Sequence, residues 1–365
     1  MRPTKAIVDL QDITYNYNQV IATANGAKVM WILKANAYGH GYLRIAHHLQ
    51  ALDASYLGVA YLEEGIALRE SGIEVPILVL GGIANQQIPS YIEYNLTITA
   101  PSIGKLQAIN QIAKHLNTRA KVHLKIDTGM ERIGVHYFNA DQLIQESLKC
   151  EYVETEGIYT HLAQADSEYP AYTNLQLQRW DKIISTLPKN HNYILHAANS
   201  GAIVQFPQAK YDMVRCGLML YGIYPATHLK SHIDLRPALS LKSQIVYFKI
   251  VPANHPVSYG GTWSKSEDTR VVTIPMGYGD GYMRSISGQG QVIINDKIYP
   301  IIGRICMDQL MVDISEDSAY NGDEVTLIGS SKTQNISVED VATWAGTIPW
   351  EILTSINDRV PRIYV

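Results

Sequence analysis

The stretch VMWILKANAYGHGYLRIAHHLQALDASYLGVA, residues 29–60, decides how the chain is read. It opens on an apolar run, VMWILKA (29–35), and crosses a glycine-containing turn. It continues as YLRIAHHLQAL, whose apolar residues recur at three- and four-residue steps, and closes on a second strand-like run, SYLGVA (55–60). Strand, amphipathic helix and strand in that order make a right-handed βαβ unit, with the strands buried on both faces. The same alternation continues outward. PILVLG (76–81), LTITA (96–100), KVHLKID (121–127), ETEGIYTH (154–161), YILHAAN (193–199) and YDMVRC (211–216) are further strand candidates. Helix-like segments such as LEEGIALRESG and IGKLQAINQIAKHL lie between them. Eight such strands suggest an α/β fold closed as a (β/α)8 barrel of TIM type, although a doubly wound open sheet would alternate in the same way.

After about residue 230 the pattern changes to LKSQIVYFKIV, TRVVTIPMG, GQVIINDKIYPIIGRIC, LMVDI and DEVTLIG, punctuated by Gly, Pro, Asn-Asp and Asn-Gly turn signals. One helix is expected there, VEDVATWAG, started by a capping box of Ser337 and Asp340. The organisation that follows is an N-terminal strand within 1–10 pairing with the C-terminal domain, a barrel over 11–230, and a mostly-β domain over 231–365.

Composition narrows the function. Of 365 residues, 46% are apolar and 18% charged, which supports a sizeable core and excludes a disordered or collagen-like chain. Lys and Arg number 30 against 34 Asp and Glu, so no basic excess points to nucleic acid. Cys150, Cys216 and Cys306 are far apart and form no CxxC pair, which argues for a reducing compartment and against a disulfide or zinc scaffold. The sequence MRPTKAIVDLQD lacks an apolar signal region, and the most apolar uncharged run, 75–85, is about half the ~20 residues of a membrane span. A cytoplasmic protein with no membrane association is expected. There are 24 Tyr but only 3 Phe, so some phenols are expected to serve a role that Phe could not.

In a (β/α)8 barrel, chemistry gathers at the C-terminal strand ends. Those ends hold Lys34, Asp127, His161, Asn199 with Ser200, and Arg215. A lysine in a partly desolvated mouth has a lowered pKa and can form a Schiff base with a carbonyl compound, while a solvated strand-end lysine does nothing of the kind. His161 is readable as an acid/base group or as a hydrogen-bonded core residue. The remaining histidines have no metal-site spacing: His47 and His48 point to different helix faces, and HExxH is absent. GYGDG (277–281) lacks the context of a dinucleotide fingerprint and reads as a tight turn.

KANAYGHG (34–41) resembles the cofactor-lysine motif of bacterial alanine racemases, which are fold-type III pyridoxal phosphate enzymes. HLKIDTGMERIGV (123–135), THLAQAD (160–166), NSGA (199–202), VRCGLMLYG (214–222), SYGGTW (258–263), PMGYGDGY (275–282), GRICMDQ (303–309) and RVPR (359–362) are similar to further family motifs, in family order. The resemblance implies an N-terminal barrel and a C-terminal β domain. It implies that Lys34 carries pyridoxal 5′-phosphate, and that Tyr259 is the opposing base, contributed by the other subunit of a homodimer with shared active sites. Racemisation removes the α-proton from one face and returns one to the other, so a base is needed on each side. By resemblance, Tyr259 serves L-alanine and Lys34 D-alanine. A free tyrosine, with pKa near 10, is a poor base at neutrality, and His161 with Arg215 resembles the network that assists it.

The resemblance further places Arg215 at the cofactor's ring nitrogen, and Arg132 at its phenolic oxygen and the substrate carboxylate. Met307 and Asp308 of the CMD motif would face that carboxylate, and Tyr278 the substrate entrance. Lys125 corresponds to a lysine that is carbamylated in some members. Tyr38, Asn199, Ser200, Gly217 and Leu218 would bind the cofactor, with Tyr38, Ser200 and the Gly217 and Leu218 backbone at its phosphate. One position departs from the family: IPYE is common near the end, but this chain reads IPWE, putting Trp350 where a tyrosine hydroxyl would reach the phosphate.

The implied activity is alanine racemisation supplying D-alanine for peptidoglycan. Alternatives on the same fold are a racemase for serine or a broader set of amino acids, and an amino-acid decarboxylase, whose glycine-rich phosphate triplet is absent here. From other classes come a cofactor-binding regulator without turnover, which would lack a base, and a metal-dependent barrel hydrolase.

Overall fold

A computed structural model describes residues 2–188 and 192–365. Each of the eight expected runs forms a strand: β1 (Lys28–Ile32), β2 (Tyr56–Val59), β3 (Ile77–Val79), β4 (Thr97–Ala100), β5 (Ala120–Asp127), β6 (Val153–Tyr159), β7 (Ile194–His196) and β8 (Met213–Cys216). They pair in parallel in the order β8-β1-β2-β3-β4-β5-β6-β7. The two ends of that path meet, because Asp212 donates its N–H to Leu195 O at 3.1 Å and Arg215 to Ala198 O at 2.9 Å. A doubly wound sheet keeps two free edges, so the ring is the barrel and the open-sheet alternative falls.

The apolar pattern explains the closure. Val29, Met30, Trp31 and Leu33 are fully buried, as strands covered on both faces must be, and Trp31 stacks on Tyr17 with ring centroids 4.6 Å apart. The barrel interior departs from the usual branched-aliphatic filling. His123 and His196 are fully buried and in contact, and the Tyr159 ring stacks on His196 at 4.8 Å. Thr99 bonds the Tyr159 hydroxyl at 2.8 Å. This polar filling surrounds Arg215, which is 4% exposed.

The chain divides into two compact units: Thr14–Ala37 with Tyr42–Arg236, and Met1–Ile13 with Tyr38–Gly41 and Pro237–Val365. The division differs from the expected cut at 230/231. Residues 231–236 group with the barrel because Asn16 brackets Arg236, donating to its carbonyl at 2.7 Å and accepting from its N–H at 2.8 Å. Residues 39 and 40 group with the second unit because Arg362 Nε donates to Gly39 O at 3.0 Å and the Tyr364 hydroxyl to His40 O at 3.2 Å.

The second unit is built on a ten-stranded, mainly antiparallel sheet. The N-terminal strand Lys5–Val8 lies antiparallel to Leu239–Gln244 and parallel to Arg362–Tyr364. Val338–Ala345 is the expected helix, with both capping-box bonds present. A second helix, Pro349–Ser355, was not anticipated; it begins with proline at its first position, where no N–H is needed.

Candidate active site

The site is built first from the barrel unit. β1 stops at Ile32 instead of running to 35, because the backbone then turns left-handed: φ is +52° at Ala35, +55° at Asn36, +52° at Ala37 and +51° at Tyr38. Left-handed helical backbone costs an L-residue roughly 1–2 kcal/mol each, and such strain collects where function over-determines geometry. Side chains hold the turn. Glu64 accepts the Ala35 N–H at 2.8 Å with one oxygen and the Ala60 N–H at 2.8 Å with the other, while Asn36 accepts the Tyr42 N–H at 3.0 Å. The Lys34 amine at the head of this turn has no hydrogen-bond partner among the described residues. Burial, then the charge of Arg132, lowers its pKa against the opposing pull of Glu64.

Arg215 anchors the floor of the mouth. Its Nη1 donates to His196 Nδ1 at 2.9 Å and His196 O at 3.2 Å; its Nη2 donates to Thr160 O at 2.8 Å, Ala197 O at 2.9 Å and His161 Nδ1 at 3.2 Å. Burial pulls its pKa down to about 10, so it stays protonated at neutrality. A guanidinium only donates, so His161 and His196 must both accept at Nδ1 and carry their proton on Nε2. His196 Nε2–H then donates to His123 Nδ1 at 2.8 Å, which places the His123 proton on Nε2, a buried atom with no partner among the described residues. Burial first and Arg215 second hold all three imidazoles neutral, His123 down to about 3.

Two further cations face the same space. Lys125 is 3% exposed, donates to Ile126 O at 3.0 Å, and is lowered to about 7 by burial and then Arg215. The Arg132 guanidinium makes no hydrogen bond or ion pair among the described residues, yet its charge depresses Lys34, Lys125 and His161. The nearby carboxylates are spent on backbone. Asp127, a strand-end candidate, accepts the N–H groups of Gly129 at 2.7 Å, Met130 at 2.8 Å and Arg132 at 3.2 Å. Burial raises its pKa, but those donors outweigh the effect and hold it below the usual carboxylate value. Asp127 therefore shapes the Arg132 loop.

Asn199 caps the helix Ser200–Gln205, accepting the Ala202 N–H at 3.1 Å, and the Ser200 hydroxyl accepts the Gly217 N–H at 3.1 Å. The 3₁₀ turn Leu218–Tyr221 starts directly after Gly217. Hydroxyl and backbone donors thus cluster beside four cations whose acidic neighbours are occupied. Nε of Arg215 is the one guanidinium nitrogen without a bond among the described residues. The chemistry of this donor set fits an anionic group that carries a ring-nitrogen acceptor and a carbonyl carbon.

In the second unit, Tyr259 stands 69% exposed in a 3₁₀ turn, Tyr259–Gly261, with Gly260 and Gly261 at φ +73° and +55°. It lines an open pocket of about 710 Å³ with Tyr247, Ile250, Ser258 and Cys306. Met307 is 53% exposed. Asp308, expected to face substrate, has its carboxylate engaged by Arg359 at 2.6 Å. Tyr278 begins a 3₁₀ turn closed by left-handed Gly281, the tight turn expected of GYGDG. Trp350 sits in the first turn of Pro349–Ser355, and Tyr38 groups with this unit.

His123, His196 and Glu64 were missed as site residues. A signal for the histidines exists: in KVHLKID and YILHAAN a lone histidine interrupts an apolar strand on its barrel-facing parity, where His123, Lys125 and Asp127 share a face. For Glu64, a helix glutamate distant in sequence from the turn it holds, no such signal exists. Among the described residues, no three His, Cys, Asp or Glu side chains converge as a metal site.

The fold and donor set define a barrel that presents a lysine of lowered pKa and a buried arginine at its C-terminal strand ends, where barrel enzymes carry their chemistry. Residues 8–225 match the profile of the alanine racemase N-terminal domain, and 238–364 that of its C-terminal domain. The alanine racemase of Carboxydothermus hydrogenoformans is 43% identical, over 100% of both chains. The solved alanine racemase of Clostridium difficile 630 superposes with a TM-score of 0.95 at 38% identity, covering 100% of this chain and 96% of that one. A histidine racemase from Leuconostoc mesenteroides superposes at 0.92 with 29% identity, covering 100% and 98%. The chain belongs to the alanine racemase family of enzymes.

The neutral histidines set a pH dependence. The folded pKa of His123, about 3, lies below its unfolded value. Below about 6.5 the unfolded chain therefore binds more protons, and stability that is complete above that pH is lost as pH falls toward the folded value. Urea unfolding from about pH 8 to about pH 5 should show falling stability, with a shallower fall in His123→Asn. Equal slopes in the two proteins would reject the assignment.

Proposed function

We propose that this member of the family interconverts L- and D-alanine with pyridoxal 5′-phosphate, as a homodimer in which Lys34 and Tyr259 of the partner subunit are the two bases. The observation that carries the reading is an amine of lowered pKa in a mouth of four cations whose acidic neighbours are occupied by backbone. When bound, the cofactor supplies an aldehyde that captures the amino group of alanine and a conjugated ring that accepts the electron pair of its Cα–H bond.

The protein's residues do the rest. Arg215 holds the cofactor ring nitrogen as an acceptor, because a guanidinium at about 10 keeps its proton at neutrality. By donating and never yielding a proton, Arg215 would leave that nitrogen unprotonated and so limit side reactions such as transamination. Arg132 receives the substrate carboxylate with its two-pronged fork, and the backbone N–H of Met307 is a further donor for that carboxylate. Lys34 takes or returns a proton on one face of the α-carbon, the partner subunit's Tyr259 on the other. His161, with its proton fixed on Nε2 by Arg215, is a neutral donor for the phenol oxygen and stabilises its deprotonated form. Lys125, near neutral at about 7, is suited to carbamylation beside Arg132. Tyr278 lines the entrance. D-alanine supply for peptidoglycan in the cytoplasm is the corresponding role; no helix among the described residues is long and apolar enough to cross a membrane. A second reading, wider amino-acid specificity, draws on the histidine racemase that shares the fold.

Borohydride treatment of the purified protein should fix the cofactor to Lys34, located by peptide mass, and L-alanine should yield D-alanine. Absence of cofactor, or release of carbon dioxide, would overturn the assignment. In heavy water, Tyr259→Phe should lose α-hydrogen exchange of L-alanine by on the order of a hundredfold or more while D-alanine keeps exchanging at Lys34. Equal loss for both enantiomers contradicts the division between two bases.

A further inference from the structure

Within the β-rich unit, Asp280 is a fully buried carboxylate that meets two arginines. Arg2 grips it with both terminal nitrogens, Nη1 to Oδ1 at 2.6 Å and Nη2 to Oδ2 at 2.5 Å, and also donates to Pro275 O at 2.8 Å. Arg359 Nε lies 3.2 Å from Oδ1, while its Nη2 donates to Asp308 at 2.6 Å. The Gly277 N–H adds a bond to Oδ2 at 3.0 Å. A buried carboxylate is tolerable only when paired and bonded in this way.

This charge centre lies under two loops with proposed substrate contacts. Tyr278 donates its N–H to Cys306 O at 3.1 Å and Gly279 to Met307 O at 2.8 Å, so the GYGDG turn is fastened to the CMD loop. The glycines permit the approach: a Cβ on Gly277 would stand 2.3 Å from Cys306 O, and one on Gly279 2.4 Å from Arg359 Nη1. Asn357 and Ser355 hold the far side, donating to Gly279 O at 2.9 Å and Gly281 O at 2.8 Å. Ser258, donating to Arg304 O at 2.6 Å, ties in the turn that carries Tyr259.

We propose that Arg2 and Asp280 are positioning residues for substrate: the arginine near the N-terminus clamps a buried carboxylate and thereby fixes the Tyr278 loop at the substrate entrance and the Met307 loop where its backbone receives the alanine carboxylate. This rests on the reading of Tyr278 and Met307 as substrate-facing. Loss of Arg2 leaves Asp280 with Arg359 alone and gives both loops freedom that substrate must then remove on binding. The effect falls mainly on KM, because Lys34 lies outside this network and the Tyr259 turn keeps its own Ser258–Arg304 bond.

Arg2 is partly exposed, at 26%, so Arg2→Met adds no bulk to the core, and Arg2→Lys, which keeps a cation at Asp280, carries the test if the methionine variant does not fold. Two measurements on the holoenzyme test the clamp. KM for both enantiomers should rise on the order of fivefold to tenfold with kcat within about twofold, and amide exchange should quicken at 277–282 and 305–309 but not in β1–β8. Arg2→Lys should fall between, since a single ammonium cannot reproduce the two-pronged grip. Unchanged exchange in both loops, or faster exchange with KM unchanged, overturns the proposal. Should the wild-type protein not racemise alanine, the functional reading fails on its own, while the exchange comparison still decides whether Arg2 holds the loops.

Discussion

Burying the Arg215 guanidinium is the constraint from which the barrel site follows. A charge taken out of water must have its donors met, and among the described residues no carboxylate pairs with this one. Carbonyls of Thr160, His196 and Ala197 and two imidazoles take that role. Those acceptors come from the ends of β6 and β7, so the arginine also draws together the strands beside the seam where the ring closes. Because Arg215 can only donate, it dictates both tautomers in contact with it. The order passes on through His196 to His123, where it stops at an unpartnered buried Nε2–H. An unmade bond of this kind costs about 1–3 kcal/mol, a local instability accepted inside the barrel.

The carboxylates at the mouth leave Lys34 and Arg132 without an ion pair among the described residues. Asp127 and Glu64 are the acids whose charge acts on Lys125 and Lys34, and each is committed to backbone N–H groups that shape a loop or a strained turn. The strained turn and the buried arginine thus serve one end. The first starts at an amine whose pKa burial and Arg132 lower, and the second keeps its proton at neutrality. Acid/base chemistry at neutral pH needs such a pair of separated affinities.

Much of this was legible in the sequence. The eight strands follow from apolar runs buried on both faces, and the capping box at Ser337 from local chemistry alone. Lys34, His161 and Arg215 were visible as strand-end residues, but their chemistry was not: a strand-end lysine is often solvated, and only the surrounding burial and Arg132 make this one different. The left-handed turn at 35–38 was illegible because alanine and tyrosine do not ordinarily adopt it and a single asparagine does not announce four such residues in a row; Glu64, 29 residues from Ala35, supports it. The helix Pro349–Ser355 escaped because seven residues give too short a period to read. Asp308 was read as a substrate group, and its pairing with Arg359, 51 residues away, could come only from the fold.

The central claim is that a protonated Arg215 forces its histidine neighbours into neutral Nε2–H forms. Nitrogen-15 NMR of histidine-labelled protein measures this directly. The account predicts that His161 and His196 show an unprotonated, hydrogen-bonded Nδ1 and a protonated Nε2, unchanged across roughly pH 6 to 8. An imidazolium at either residue in that range, or a proton on Nδ1, would contradict it.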